Sequence, residues 1–131
     1  MRIDVLTLFP EMFSGPMSAS LLGKAIDNGI LDIQYTNPRE FTEDVHQKVD
    51  DAPYGGGPGM VMKCEPLTGA VAAAKKRSPD GSPVVYLSPQ GRVFDQASAN
   101  RFAELPGLIL LAGRYVGVDE RFIESQVDEE L

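Results

Sequence analysis

Short apolar runs rich in β-branched residues alternate along this chain with segments whose apolar positions recur at helical spacing. The first run, Arg2 to Phe9, predicts a strand that Pro10 stops. Ser18 or Ser20 can cap a helix through Leu21, Leu22, Ala25 and Ile26, which Asn28-Gly29 would close. Ile30 to Thr36 predicts a second strand, ended by Asn37-Pro38. Glu65-Pro66 opens a helix with Leu67, Ala70, Val71 and Ala74 on one face and Lys75, Lys76 and Arg77 at its C-terminal end. After a loop from Ser78 to Pro83, Val84 to Leu87 predicts a third strand. Asp95 caps a shorter helix to about Leu105, and Leu108 to Ala112 predicts the fourth strand. Strands that alternate with helices predict parallel pairing and an α/β layered fold. The segment from Arg39 to Gly59 has no clear period, and loops of such length are usually functional or disordered. Its composition favours function.

At 131 residues the chain is the size of one domain, and 43% apolar content supports a core. No run approaches the ~20 apolar residues of a membrane span, and no signal peptide opens the chain. These features predict a cytoplasmic protein without a membrane partner. Cys64 is the only cysteine, which excludes an internal disulfide and a thiolate metal cluster; His46, the only histidine, argues against a protein-only zinc site. The expectation is therefore of no metal site built by the protein. The balance of 12 basic and 19 acidic residues, net −7, argues weakly against nucleic acid. Six of the acidic residues (Asp119, Glu120, Glu124, Asp128, Glu129, Glu130) fall in the last stretch of the chain with one cation, Arg121.

Three segments carry candidate chemistry. In Val49 to Met60, the three glycines Gly55, Gly56 and Gly57 stand between Pro53 and Pro58, with Gly59 following. Such a run permits close approach of backbone amides to a ligand or a partner, although a plain surface loop is the alternative. No Gly-Lys-Ser/Thr follows it, so it is not a phosphate loop. Tyr86-Leu87-Ser88-Pro89-Gln90-Gly91-Arg92 lies at a strand's carboxyl end, where Ser88, Gln90 and exposed amides offer hydrogen-bonding edges suited to a purine. Gly113 to Arg121 follows the next strand. If those two strands are neighbours, both loops meet over one crevice, the expected geometry of a nucleotide-like pocket; two tight turns without a ligand are the alternative. No Gly-x-Gly-x-x-Gly follows the first strand, and no nucleophile elbow or Ser-His-Asp signature is present. His46 reads as a loop hydrogen-bonder, with a general base as the alternative because Lys48, Asp50 and Asp51 are close in sequence. Cys64 reads as a small buried residue.

Taken together, Leu8-Phe9-Pro10-Glu11-Met12-Phe13, Val49-Asp50-Asp51, Tyr54 to Met60, Tyr86 to Arg92 and Gly113-Arg114-Tyr115 resemble the bacterial TrmD family, the tRNA (guanine-N1)-methyltransferases that modify position 37 beside the anticodon. The resemblance covers essentially all of this chain, in the same order. It implies a SPOUT-type α/β fold, a parallel sheet flanked by helices with a trefoil knot, working as a homodimer on tRNA with S-adenosylmethionine as methyl donor and allowing for Mg2+. By the family's pattern, Tyr86, Leu87, Ser88, Pro89, Gln90, Gly113, Tyr115 and Gly117 are the cofactor contacts. His46, Asp50, Gly55, Gly56, Gly57, Pro58 and Gly59 are placed near the dimer interface and the incoming tRNA.

Guanine N1 must lose its proton before it attacks, so a general base is required, and a cation near the guanine oxygen would stabilise the anion. In the family an aspartate and an arginine beyond the knot serve these roles, so no catalytic residue is expected among residues 1–131. The expectation is a truncated N-terminal cofactor-binding domain over 1–131, without the third, glycine-rich cofactor loop or the C-terminal tRNA-binding domain. Its knot would be incomplete because the chain ends at Leu131, its cofactor binding weak, and methyl transfer by this chain alone absent. Val116 departs from the pattern, since the family usually carries glutamate there. The alternatives are a non-catalytic cofactor-binding or dimerising remnant of the family, and a plain α/β interaction module.

Overall fold

The computed structural model describes residues 1–43, 46, 48–53, 59–114 and 117–131. The β-branched run at the start forms β1, Arg2–Leu6, and Asp32–Thr36 forms β2 beside it in parallel, Arg2 opposite Asp32 and Leu6 opposite Thr36. Two short strands follow, β3 (Asp50–Asp51) and β4 (Val61–Met62), and then Val84–Leu87 forms β5 and Gly107–Ala112 forms β6. Two more short strands follow, β7 (Gly117–Val118) and β8 (Glu129–Glu130). The main sheet runs β2-β1-β6-β5-β8, and all its pairings are parallel. A small second sheet runs β3-β4-β7.

The helices are α1 (Glu11–Met17), α2 (Ser20–Asp27), α3 (Cys64–Arg77), α4 (Gln96–Ala103) and α5 (Glu120–Gln126). The predicted face of α3 is the buried one: Leu67, Ala70, Val71 and Ala74 join Leu6, Val84, Ile109, Leu111 and Phe122 in the main core. On the opposite face of the sheet, Phe102 of α4 joins Val85 and Leu108, with Leu105 and Leu131 against them. Asp95 caps α4 as predicted, its carboxylate accepting from the Ser98 amide at 2.8 Å. The N-cap of α2 is Ala19 rather than Ser18 or Ser20. The Ser18 hydroxyl instead donates back to the carbonyl oxygens of Ser14 and Gly15, a local bond that competes with capping.

Three elements fall where periodicity gave no signal. Helix α1 buries none of its residues, so it carries no apolar stripe to detect. The acidic stretch after β6 forms α5 and β8. Asp119 caps α5 by accepting from the Arg121 amide at 2.9 Å, and Phe122 plugs the core with no exposed surface. Asp128 then docks the following strand: its carboxylate accepts from the Val84 amide at 2.8 Å while its own amide donates to the Val84 carbonyl at 2.9 Å.

Among the described residues one charge is fully buried. Asp4 of β1 accepts from Arg2 Nε at 3.1 Å and from the Ser78 hydroxyl at 2.7 Å, with Arg77 Nη2 at 3.7 Å. A buried carboxylate persists only with such partners. Here they tie the start of β1 to the C-terminal end of α3.

Candidate functional site

Strands β5 and β6 are neighbours, with Tyr86 opposite Leu111 and Leu87 opposite Ala112. The two loops that the sequence placed at strand ends therefore leave the sheet side by side at its carboxyl edge, as the crevice reading required. They touch: a Cβ built on Gly113 would lie 3.3 Å from Tyr86 Cε1. The loop after β1 reaches the same edge, where the Arg114 guanidinium stands over the Phe9 ring, 4.8 Å from its centroid.

A cavity of about 250 Å³ opens here. Tyr86, Ser88, Pro89 and Gln90 form one side of it, and Gly117 and Val118 of β7 another. These include five of the eight predicted cofactor contacts. Leu87 points elsewhere and is 43% exposed, because alternation along β5 turns it away from the side that Tyr86 occupies. Gly113 adjoins the cavity through Tyr86 without lining it. Tyr115 and Val116 lie outside the described residues.

Sequence reasoning missed the remaining walls. Glu120 and Ile123 come from α5, Glu130 from β8 and Val61 from β4. Asp119 as a cap, with Phe122 and Ile123 one turn on, was the signal for α5; the run of carboxylates concealed it. Two carboxylates and no lysine or arginine line the cavity among the described residues, so it suits a ligand with positive charge. Burial, and secondarily the Glu130 carboxylate, raises the Tyr86 phenol above its ordinary range, so it stays neutral.

The loop amides are less available than the sequence suggested. The Ser88 amide donates to the Leu131 carbonyl at 2.6 Å, the Gln90 amide to the Ser88 hydroxyl at 3.1 Å, and the Gly91 amide to the Ser88 carbonyl at 3.0 Å. Carbonyl oxygens and side chains of this loop are left to face a ligand.

The small sheet joins the glycine-rich segment to the same place. Asp50 and Asp51 pair antiparallel with Met62 and Val61, and Val61 and Met62 pair in parallel with Gly117 and Val118. A larger cavity, about 560 Å³, lies beside the first and shares Val61, Val118 and Glu120 with it, adding Pro53, Asp119 and Arg121. The hydrogen bond from Arg121 holds the Asp119 carboxyl below its ordinary range. Asp50 is half-buried in β3, while His46 is exposed in a turn and Gly59 in a bend with φ +82°. Neither His46 nor Asp50 lines either of these two cavities. Gly55, Gly56, Gly57 and Pro58 lie outside the described residues. Among the described residues no three His, Cys, Asp or Glu side chains converge as a metal site needs, so no step is assigned to Mg2+. No helix among them is long and apolar enough to cross a membrane.

A parallel sheet flanked by helices, with an acidic cavity at the carboxyl edge of β5 bounded by β4, β7, α5 and β8, defines an α/β protein with a candidate small-molecule site. The sequence profile of the family described as tRNA (Guanine-1)-methyltransferase TrmD matches residues 1–131. The chain belongs to that family. It is 55% identical over 130 residues to the tRNA (guanine-N(1)-)-methyltransferase of Methylococcus capsulatus, covering 99% of this chain and 52% of that protein. The protein of the same name from Alcanivorax borkumensis is 54% identical over 129 residues, covering 98% of this chain and 48% of that protein. The crystal structure of tRNA (m1G37) methyltransferase from Aquifex aeolicus superposes with a TM-score of 0.89 at 34% identity, covering 99% of this chain and 58% of that one. The chain spans about half the length of the curated relatives it matches.

Proposed function

We propose that residues 1–131 form the S-adenosylmethionine-binding SPOUT domain of a tRNA (guanosine(37)-N1)-methyltransferase, acting in the cytoplasm as a homodimer on tRNA. The observation that carries this reading is the convergence of Tyr86, Ser88, Pro89, Gln90 and Gly117 on one cavity, in a chain of that family. The donor set fits the cofactor. Glu120 and Glu130 would face its positive charge, while Ile123, Val61 and Val118 offer apolar surface to its carbon framework. The neutral phenol of Tyr86 would hydrogen-bond without adding charge.

Bound S-adenosylmethionine supplies an electrophilic methyl group on a sulfonium. The part of this chain is to hold that group at the sheet edge and to leave the larger cavity beside Asp119 and Arg121 for the guanine. No described residue is assigned as the base that takes the N1 proton: His46 is exposed and outside both cavities, and Arg121 holds the Asp119 carboxyl below its ordinary range, which makes it a weak base. Binding without turnover is therefore expected of this chain by itself.

Isothermal titration with S-adenosylmethionine tests the reading. Saturable binding with 1:1 stoichiometry supports it, and no heat at millimolar cofactor removes the cofactor assignment. A methylation assay on unmodified tRNA should give no product, and turnover would show that the general base lies within these residues.

A further inference from the structure

The loop Ser88–Arg92, which forms one side of the cavity, does not stand by itself: it is sewn to β8. Besides the Ser88 amide on the Leu131 carbonyl, the Leu131 amide donates to the Tyr86 carbonyl at 3.0 Å and the Arg92 amide to the Glu130 carbonyl at 3.2 Å. The two backbones are so close at Gly91 that a Cβ there would lie 2.5 Å from the Leu131 main chain. Alternation along β8 divides its side chains between the two faces of the sheet. Glu130 lines the cavity, whereas Leu131 lies against the Val85, Phe102 and Leu108 cluster under α4.

Glu129 shares that second side. Its carboxylate accepts from Arg92, at the end of the loop, and from Arg101 of α4 through both carboxylate oxygens, Arg101 Nη1 lying 3.1 Å from Oε2. Arg101 is itself seated over the Phe102 ring, 4.6 Å from the centroid. The carboxylate thus bridges a helix fixed to the core and the far end of the loop, and its side chain is only 16% exposed.

We propose that Glu129 is a positioning residue for cofactor binding: by holding Arg92 against α4 it fixes the shape of the loop Ser88–Arg92. The cofactor part of this proposal rests on the function proposed above; the clamp on the loop does not. Glu129 is on the side of β8 away from the cavity, so its effect passes through the loop. Isolated ion pairs near the surface add little to global stability. β8 also keeps its backbone bonds and the Leu131 contact without Glu129, so the loop loosens and the fold does not.

The test compares the chain with its E129Q variant. Amide hydrogen exchange should quicken about tenfold at Ser88 and Arg92, while Ile109 and Leu111 in β6 stay protected. Affinity for S-adenosylmethionine should fall about fivefold to tenfold, the scale of one charge-assisted bond. Raising NaCl toward ~1 M should bring the unmodified chain to the level of the variant, which itself responds little. R92Q removes the same bond from an exposed side chain and should reproduce these changes. Unchanged exchange at Ser88 and Arg92 in both variants overturns the clamp. Faster exchange with unchanged cofactor affinity overturns the positioning role. Failure of the unmodified chain to bind the cofactor overturns the function proposed above and the positioning role with it, while exchange still decides the clamp.

Discussion

Gly113, the first residue after β6, lies against the ring of Tyr86 so closely that a methyl group on it would come within 3.3 Å of Cε1. That distance is tighter than ordinary van der Waals contact, so a Gly113→Ala change must displace the tyrosine that walls the cavity. Gly113 is exposed, and the strain falls on the Tyr86 ring, a member of the main core at the edge where the cavity opens, which need give by only a few tenths of an ångström. Cofactor affinity is expected to fall about tenfold, with a loss of folding stability of at most about 1 kcal/mol. Titration calorimetry and a thermal melt on one preparation check the pair of values; a large loss of stability with unchanged affinity would place Tyr86 outside the binding site.

Phe122 makes a contrasting case. It has no exposed surface and comes from α5, the helix hidden in the acidic stretch. Phe122→Ala should cost about 3–4 kcal/mol, since it removes a large side chain from a closed core and leaves a cavity. Chemical denaturation measures this. A loss below about 1 kcal/mol would show that α5 is not part of the cooperative core.

Asp4 is fully buried and holds Arg2, Arg77 and Ser78. Replacing it with Ala removes one partner from each of two guanidinium groups, but Arg2 keeps Asp32 at 3.3 Å, and Arg77, 45% exposed, keeps the Thr36 hydroxyl and can turn to solvent. The expected loss is therefore about 2 kcal/mol, less than for a fully enclosed pair. Combining Asp4→Ala with Arg77→Ala should cost less than the sum of the two single changes, which a double-mutant cycle reads directly.

Stability should also fall in acid, for a stated reason. Hydrogen bonds from Arg101 and Arg121 hold the Glu129 and Asp119 carboxyls below their ordinary ranges. A carboxyl with a lowered folded-state value binds its proton more weakly when folded than when unfolded. Its contribution is therefore complete above the ordinary carboxylate range and is lost as pH falls through the lowered value. Thermal midpoints should be flat from about pH 7 to 5 and decline below about pH 4, with the decline shallower in a Glu129→Gln, Asp119→Asn double variant. An equally steep decline in that variant would assign the acid sensitivity to other carboxylates.

Much of this protein was legible along the chain. The β-branched runs at β1, β2, β5 and β6, the apolar face of α3 and the Asp95 cap depend on neighbours near in sequence, so a linear pattern carries them. The resemblance of Tyr86 to Arg92 and Gly113-Arg114-Tyr115 to a known family was legible for the same reason. The order of strands was not, because pairing of β6 between β1 and β5 is settled by which apolar faces can be buried together. Nor was the remainder of the cavity. Val61, Glu120, Ile123 and Glu130 come from three elements whose place depends on long-range pairing: β4 with β7, β8 with β5, and Phe122 of α5 in the core. Along the chain, the carboxylates of the last stretch were only a local excess of acidic charge, assigned to no element. Once Asp128 docks on Val84 and β8 joins the sheet, Glu130 joins Glu120 in the cavity wall and Glu129 becomes a clamp, since a charge acquires its role from what tertiary structure sets within a few ångströms of it.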